Sequence, residues 1–286
     1  MPDDASVNLR ARDPGSLPSV EAELLYLTPS PEKPYVLAYL PGEDGQPIAN
    51  TEYESHRVLI HDARPLTAGL SLDREGFAFA EHRSAVTDFY DEAQLDTVAH
   101  DEAAELIRQV TGASRVVVFD HTFRRNTPEV PDRTPGAPRQ PVTRVHNDYT
   151  ETSGPQRVRD LLGDDAETLL KGRYAFINVW RPTLGPVIDS PLAVCDARSA
   201  AFEDFVATDL IYKDRVGEIY NVHFSPRHQW FYFPRMRTDE TILIKCFDSE
   251  RNVARFSPHV AFADPTTPPG APPRESLEIR TAAFFS

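Results

Sequence analysis

Arg144-Val145-His146-Asn147-Asp148-Tyr149-Thr150 is the stretch in which fold and chemistry can be read together. In an extended segment successive side chains alternate between faces, so His146 and Asp148 point the same way and Asn147 points the other. An imidazole and a carboxylate so placed, completed by a histidine from much later in the chain, make up the 2-His-1-carboxylate facial triad that holds non-heme Fe(II). Alone, the triplet carries little weight. The chain has nine histidines, so a His-x-Asp is expected by chance roughly once, and singly it is more often a surface or hydrogen-bonding pair. Its meaning depends on what surrounds it.

Working outward, residues 127–141 carry five prolines and predict an exposed loop before the His146 strand. On the other side Ser153-Gly154-Pro155, followed by Val158, Leu161 and Leu162, predicts a short helix with Ser153 at its N-cap and proline in the first turn. Strands then resume at Ala175–Trp180, Ala193–Cys195, Glu218–Phe224, Trp230–Phe233, Ile242–Phe247 and Leu277–Phe285, with a second helix expected over 199–210. Upstream, apolar residues at helical spacing predict a helix over 101–111 that stops at Gly112. The β-branched run Arg115–Asp120 after it predicts a strand buried on both faces. Tyr35–Leu40, Pro41–Gly45 and Tyr53–Asp62 read as strand, turn, strand, a hairpin. Residues 1–34 form an N-terminal extension with a short edge strand at Leu24–Leu27. Many short strands with turn signals and few helices predict a mainly β fold with flanking helices around a double-stranded β-helix (jelly roll, cupin-like) core, a single domain over 35–286.

The formal charge of −14 comes without a long Lys/Arg run, which argues against nucleic acid or an anionic membrane as partner and for a small-molecule substrate. Only Cys195 and Cys246 are present, so there is no disulfide framework or four-cysteine zinc site. The first residues lack a basic start and an apolar stretch, and no run approaches the ~18 apolar residues of a membrane span. A cytoplasmic protein is expected.

The second histidine comes from His223, His228 or His259. His259 is best placed, in the late strand Phe256–Phe262, before a Pro-rich loop and a last strand bearing Arg274, Ser276 and Arg280. This order resembles that of jelly-roll Fe(II) enzymes that use 2-oxoglutarate, and the resemblance implies a keto acid that chelates iron through its 1-carboxylate and 2-keto oxygens and projects its far carboxylate towards an arginine of the last strand.

Further blocks stand in order along the chain: Val118-Phe119-Asp120-His121-Thr122, the His146 stretch, Asn178-Val179-Trp180-Arg181-Pro182, Asp189-Ser190-Pro191-Leu192-Ala193, His228–Phe233, Ile244–Ser249, Pro258-His259-Val260-Ala261-Phe262 and Arg274–Arg280. In these blocks, covering the chain from about residue 35, it resembles the CmcJ, gibberellin desaturase and aspergillic-acid hydroxylase family of non-heme Fe(II) 2-oxoglutarate-dependent oxygenases. The resemblance implies hydroxylation or desaturation of a C–H bond of a small molecule in secondary-metabolite biosynthesis, with Fe(II) as metal and 2-oxoglutarate and O2 as co-substrates. It implies His146, Asp148 and His259 as iron ligands. Arg274, opening an Arg-x-Ser with Ser276, and Arg280, leading into Thr281-Ala282-Ala283-Phe284-Phe285, both fit the co-substrate's far carboxylate, with Arg274 ranked first.

Tyr149, Trp180, Arg181 and Arg124 are candidates for substrate contact, although Tyr packing and a solvated Arg explain two of them equally well. Trp180 and Arg181 point to opposite faces, so one lines the pocket while the other closes a salt bridge, for instance to Asp189 or Glu278. Lys245 on an apolar strand needs a partner, Asp248 or Glu240. His121 reads as a packing residue or a support to the site. Two other functions compete: a metal-free jelly-roll binding protein or partner subunit, and a zinc hydrolase using the same ligands with a metal-bound water. Retention of all three candidate ligands argues against the first; a hydrolase needs neither O2 nor a keto acid.

Overall fold

The punctuated β runs become fourteen strands in two sheets, numbered here in chain order, in a computed structural model that describes residues 14–38, 48–132, 134 and 136–285. The larger sheet runs β1 (Ser19–Leu27), β3 (Tyr53–Asp62), β11 (Trp230–Tyr232), β8 (Leu192–Cys195), β13 (His259–Ala261), β6 (His146–Asn147), β10 (Val216–Val222), β9 (Phe205–Ile211), β2 (Tyr35–Leu37). The smaller runs β4 (Phe77–Glu81), β12 (Glu240–Asp248), β7 (Tyr174–Leu184), β14 (Glu275–Phe284), β5 (Arg115–Arg125). From β6 to β8 and again from β11 to β14 the chain alternates between the sheets, the winding of a jelly roll.

Between the sheets lies an aromatic core that includes Phe176, Trp180, Phe231, Phe233 and Phe247. The outer face of the smaller sheet packs Ile177, Val179, Leu243, Leu277 and Ile279 against Ala103, Leu106 and Ile107 of helix α2 (His100–Thr111), which follows a short helix α1 (Glu92–Gln94) and a π-helical turn at Leu95–Ala99. Alternate residues of β7 therefore serve two cores. This is why β7 and β12 read as near-continuous apolar runs rather than alternating ones. Helix α2 ends as its sequence predicts, with Gly112 at φ 72° and its N–H on Arg108 O at 2.8 Å.

Several local expectations give way to tertiary pairing. The Tyr35 and Tyr53 segments do not form a hairpin: β2 pairs in parallel with β9, while β3 pairs with β1 and β11. The intervening turn at Pro41–Gly45 lies outside the described residues. The 199–210 segment holds the end of one 3-10 turn (Ala197–Ser199), a second at Phe202–Asp204, and then β9, because its β-branched residues pair over seven positions with β10. Strand β5 is longer than the run that announced it and lies at a sheet edge, where it is mostly half-buried rather than buried on both faces. β1, at the edge of the larger sheet, pairs with β3 along all nine of its residues.

Helix α3 (Ser153–Leu162) has Thr152 at its N-cap, so Ser153 is the first helical residue rather than the cap. The Thr150 hydroxyl accepts the N–H groups of Thr152 and Ser153 at 3.1 and 3.0 Å, and Ser153 Oγ accepts the Thr150 N–H at 2.9 Å. This anchors the chain directly after Asp148. Gly154 lets α3 approach β12, since a Cβ there would stand 2.9 Å from Phe247 Cδ2. Gly154→Ala is expected to cost about 1–3 kcal/mol by overpacking, read as a lower urea midpoint with unchanged slope.

Candidate metal centre

His146 on β6 and His259 on β13 are direct cross-strand partners, and His259 also pairs with Val194, whose side chain lies in the core between the sheets. Their rings lie 4.4 Å apart. Asp148 Oδ1 stands 3.5 Å from His146 Nε2 and 3.8 Å from His259 Nε2, and the three donor atoms lie within 4.8 Å of one another. Each imidazole is oriented by its own strand: His146 Nδ1 is 2.9 Å from Arg144 O and His259 Nδ1 is 3.1 Å from Ser257 O. A carbonyl only accepts, so both Nδ1 atoms carry the proton and both Nε2 lone pairs face Asp148. Burial, with the neighbouring His259, pulls the His146 pKa down to about 3, leaving the ring neutral and ready to ligate at neutral pH.

The carboxylate is held as firmly. Asn178 Nδ2 donates to Asp148 Oδ2 at 2.7 Å, and Arg280 Nε lies 3.4 Å from the same oxygen. Burial alone would raise the Asp148 pKa, yet Arg280, the two imidazoles and the Asn178 amide hold it well below the usual carboxylate range. Arg280 is itself balanced by Glu278 and Asp120. Asn147, on the opposite face as alternation requires, ties the segment to β12 by donating to Tyr149 O and Cys246 O, each at 2.8 Å. Two imidazoles and an ionised carboxylate on one face suit Fe(II), and His259 Nε2, buried without a hydrogen-bond partner, is an atom such an ion would satisfy. Asn178 received no role from the sequence, although it shares the inward parity of Trp180 on β7. Asn178→Ala is expected to weaken Fe(II) binding about 10- to 100-fold, measured by metal titration.

The two arginines of the last strand separate in space. Arg280 reaches Asp148 and lines a cavity of about 1000 Å³ that opens onto His146 and Asp148. Arg274 is buried deeper along the inner wall, its guanidinium 5.4 Å from the Trp180 ring, with one bond from Nη1 to Ser190 O at 2.7 Å. Burial, then nearby Arg124, pulls its pKa down to about 9, the mark of a guanidinium lacking a full counter-charge. Arg274 Nε, Ser276 Oγ and Trp180 Nε1 are all buried without partners.

Tyr149 and Arg124 line the cavity; Tyr149 stacks on Phe176 at 4.3 Å, and Arg124 donates to Gln140 O at 2.9 Å. Trp180 faces inward, as half of the alternation required. Arg181 does not join the site: it points to the helix layer, 3.7 Å from Glu102 and hydrogen-bonded to His82, rather than to Asp189 or Glu278. His223 bonds Leu27 O and His228 bonds Asp204, and neither joins the triad. Lys245 pairs with Asp248 at 2.7 Å and also with Asp73.

A jelly roll that brings two histidines and an aspartate together at the mouth of such a cavity defines the non-heme Fe(II) oxygenase class. The family model described as an oxidoreductase/YMDC permease-like domain matches residues 24–284. The Fe(II)/2-oxoglutarate-dependent dioxygenase NvfI of Aspergillus novofumigatus is 34% identical over 279 residues, 94% of this chain and 98% of its own length. A hydroxylase/desaturase of Cercospora beticola is 33% identical over 259 residues, 83% of this chain and 79% of its own. A solved structure of NvfI, described as an iron and alpha-ketoglutarate-dependent endoperoxidase, superposes with a TM-score of 0.84 at 33% identity, covering 94% of this chain and 98% of that one. The chain belongs to this family of Fe(II)/2-oxoglutarate-dependent oxygenases, and is an enzyme that uses Fe(II), 2-oxoglutarate and O2. Among the described residues no helix is long and apolar enough to cross a membrane.

Proposed function

We propose that His146, Asp148 and His259 hold the iron, that Arg274 and Ser276 receive the far carboxylate of 2-oxoglutarate, and that the enzyme hydroxylates or desaturates a C–H bond of a small molecule in secondary metabolism. The observation that carries this reading is the set of buried polar atoms left without partners, His259 Nε2, Trp180 Nε1, Arg274 Nε and Ser276 Oγ, with the Arg274 guanidinium 5.4 Å from the Trp180 ring. Folded proteins rarely leave such groups orphaned, and a dianionic keto acid anchored at a metal would satisfy them together. The names of the relatives, hydroxylase/desaturases among them, support the reaction class.

When bound, iron and keto acid together supply O2 activation, the keto acid leaving as succinate and CO2. The chain's own residues do the positioning. His146, Asp148 and His259 would hold the iron through donor atoms that lie within 4.8 Å of one another. Asn178 and the Arg144 and Ser257 carbonyls keep the donors aimed. Arg280 keeps Asp148 ionised, and the wall bearing Tyr149 and Arg124 faces the substrate.

Anaerobic addition of Fe(II) and 2-oxoglutarate should produce the weak visible charge-transfer band of a chelated keto acid. No band, with no iron bound, would refute the assignment of these residues to iron and 2-oxoglutarate. Product analysis under labelled O2 then reads the outcome: one labelled oxygen for hydroxylation, none for desaturation. Two would move the reaction to peroxide formation, the chemistry that the name endoperoxidase gives to NvfI.

A further inference from the structure

We infer that Asp96, His100 and His121 form a second metal site, for Zn2+, on the outer face of β5 and distinct from the iron centre. His100 Nε2 and His121 Nδ1 are 3.0 Å apart, and Asp96 Oδ1 lies 3.9 Å from the same His121 nitrogen. The three donor atoms fall within 4.8 Å of one another. Imidazole nitrogens bind Zn2+ at about 2.0–2.1 Å, so two on adjacent coordination positions stand about 2.9–3.4 Å apart, the spacing found here.

Each donor has a structural reason to be where it is. Strand β5 alternates, so Asp120, Thr122 and Arg124 face the cavity while His121 faces the helices. Asp96 and His100 are four residues apart across the π-helical turn, which brings both over that strand. Glu92, one turn earlier, lies with Oε2 3.1 Å from His121 Nε2. The carboxylate only accepts, so Nε2 carries the proton and Nδ1 presents its lone pair to His100 and Asp96, the carboxylate–histidine–metal arrangement. Asp96 is exposed on its side-chain end and free to swing inward on binding, and a fourth position is left for water.

A simpler role would be a hydrogen bond from His100 to His121 pinning α2 to the edge strand. That role explains two of the four residues. It does not explain a third donor converging on the same nitrogen or a carboxylate behind the ring. Bound zinc would clip the 92–111 helical segment to β5 and so stiffen one wall of the substrate cavity.

The test begins with full-length His146→Ala/Asp148→Ala, which empties the iron centre, stripped with chelator and dialysed against Zn2+ alone. The expected content is about one Zn2+ per chain, against about two for the unaltered protein, and a higher melting temperature with Zn2+. Adding His121→Ala should remove the remaining ion. No Zn2+ bound by the double variant at micromolar free metal, or full binding by a folded triple variant, would overturn the proposal. Glu92→Gln guards against misfolding, because Glu92 is exposed. In the double-variant background it should weaken Zn2+ about 10- to 100-fold, and unchanged affinity would overturn the proposal as well.

Discussion

Replacing His146 or Asp148 with alanine is expected to abolish iron binding and turnover together. Each supplies one of three donors, and each is braced so that its lone pair has one direction: the Arg144 carbonyl fixes the His146 ring, and Asn178 and Arg280 fix the Asp148 carboxylate. Losing a partner of a ligand costs about 10- to 100-fold, and losing the ligand itself should exceed that. Asp148→Ala also strands Arg280 beside the metal site with one counter-charge fewer, so iron loss should come with lower stability. The measurement is the charge-transfer band with Fe(II) and 2-oxoglutarate, followed by O2-dependent succinate formation. Either variant keeping full activity would refute the ligand set.

The second large effect belongs to Arg274. Arg274→Ala should raise the KM for 2-oxoglutarate while leaving Fe(II) affinity near that of the parent enzyme. A hydrogen bond to a charged group is worth roughly 1.5–3 kcal/mol, which corresponds to about 10- to 150-fold in affinity. Arg280→Ala should do the opposite, weakening iron through Asp148 with a smaller effect on the co-substrate's KM. The pair of variants is the informative experiment: if Arg280→Ala carries the KM effect and Arg274→Ala does not, the two roles are exchanged. Lysine at 274 should recover part of the loss, since it keeps the charge without the planar fork.

The difference between these arginines shows where sequence reasoning stops. Residues 274, 276, 278 and 280 share one face of the last strand, and spacing from His259 admits either arginine. Only the packed structure puts Asp148 within reach of Arg280 and Trp180 under Arg274. The same holds for Trp180 and Arg181. Alternation placed them on opposite faces, but which face is inner depends on α2 covering the other side, and the partner of Arg181 proved to be Glu102, a residue remote in sequence. Asn178 was missed although its parity with Trp180 on β7 was a signal that it faced inward, where it donates to Asp148. The Tyr35–Tyr53 hairpin failed for a related reason: turn chemistry is local, whereas β2 and β3 found partners far along the chain.

What the amino-acid sequence indicated by itself was the fold class, the three side chains that converge as a candidate metal site and the face of each strand on which they lie. Those depend on alternation, turn residues and ordered motif blocks, all short-range properties of the chain. The tertiary structure alone decided which buried groups are satisfied and which wait for a ligand. It separated the arginine that braces Asp148 from the one left short of counter-charge, and it brought His100 to His121. These are matters of distance between elements remote in sequence, set by how two twisted sheets and a helix layer close over one another, and no local pattern encodes them.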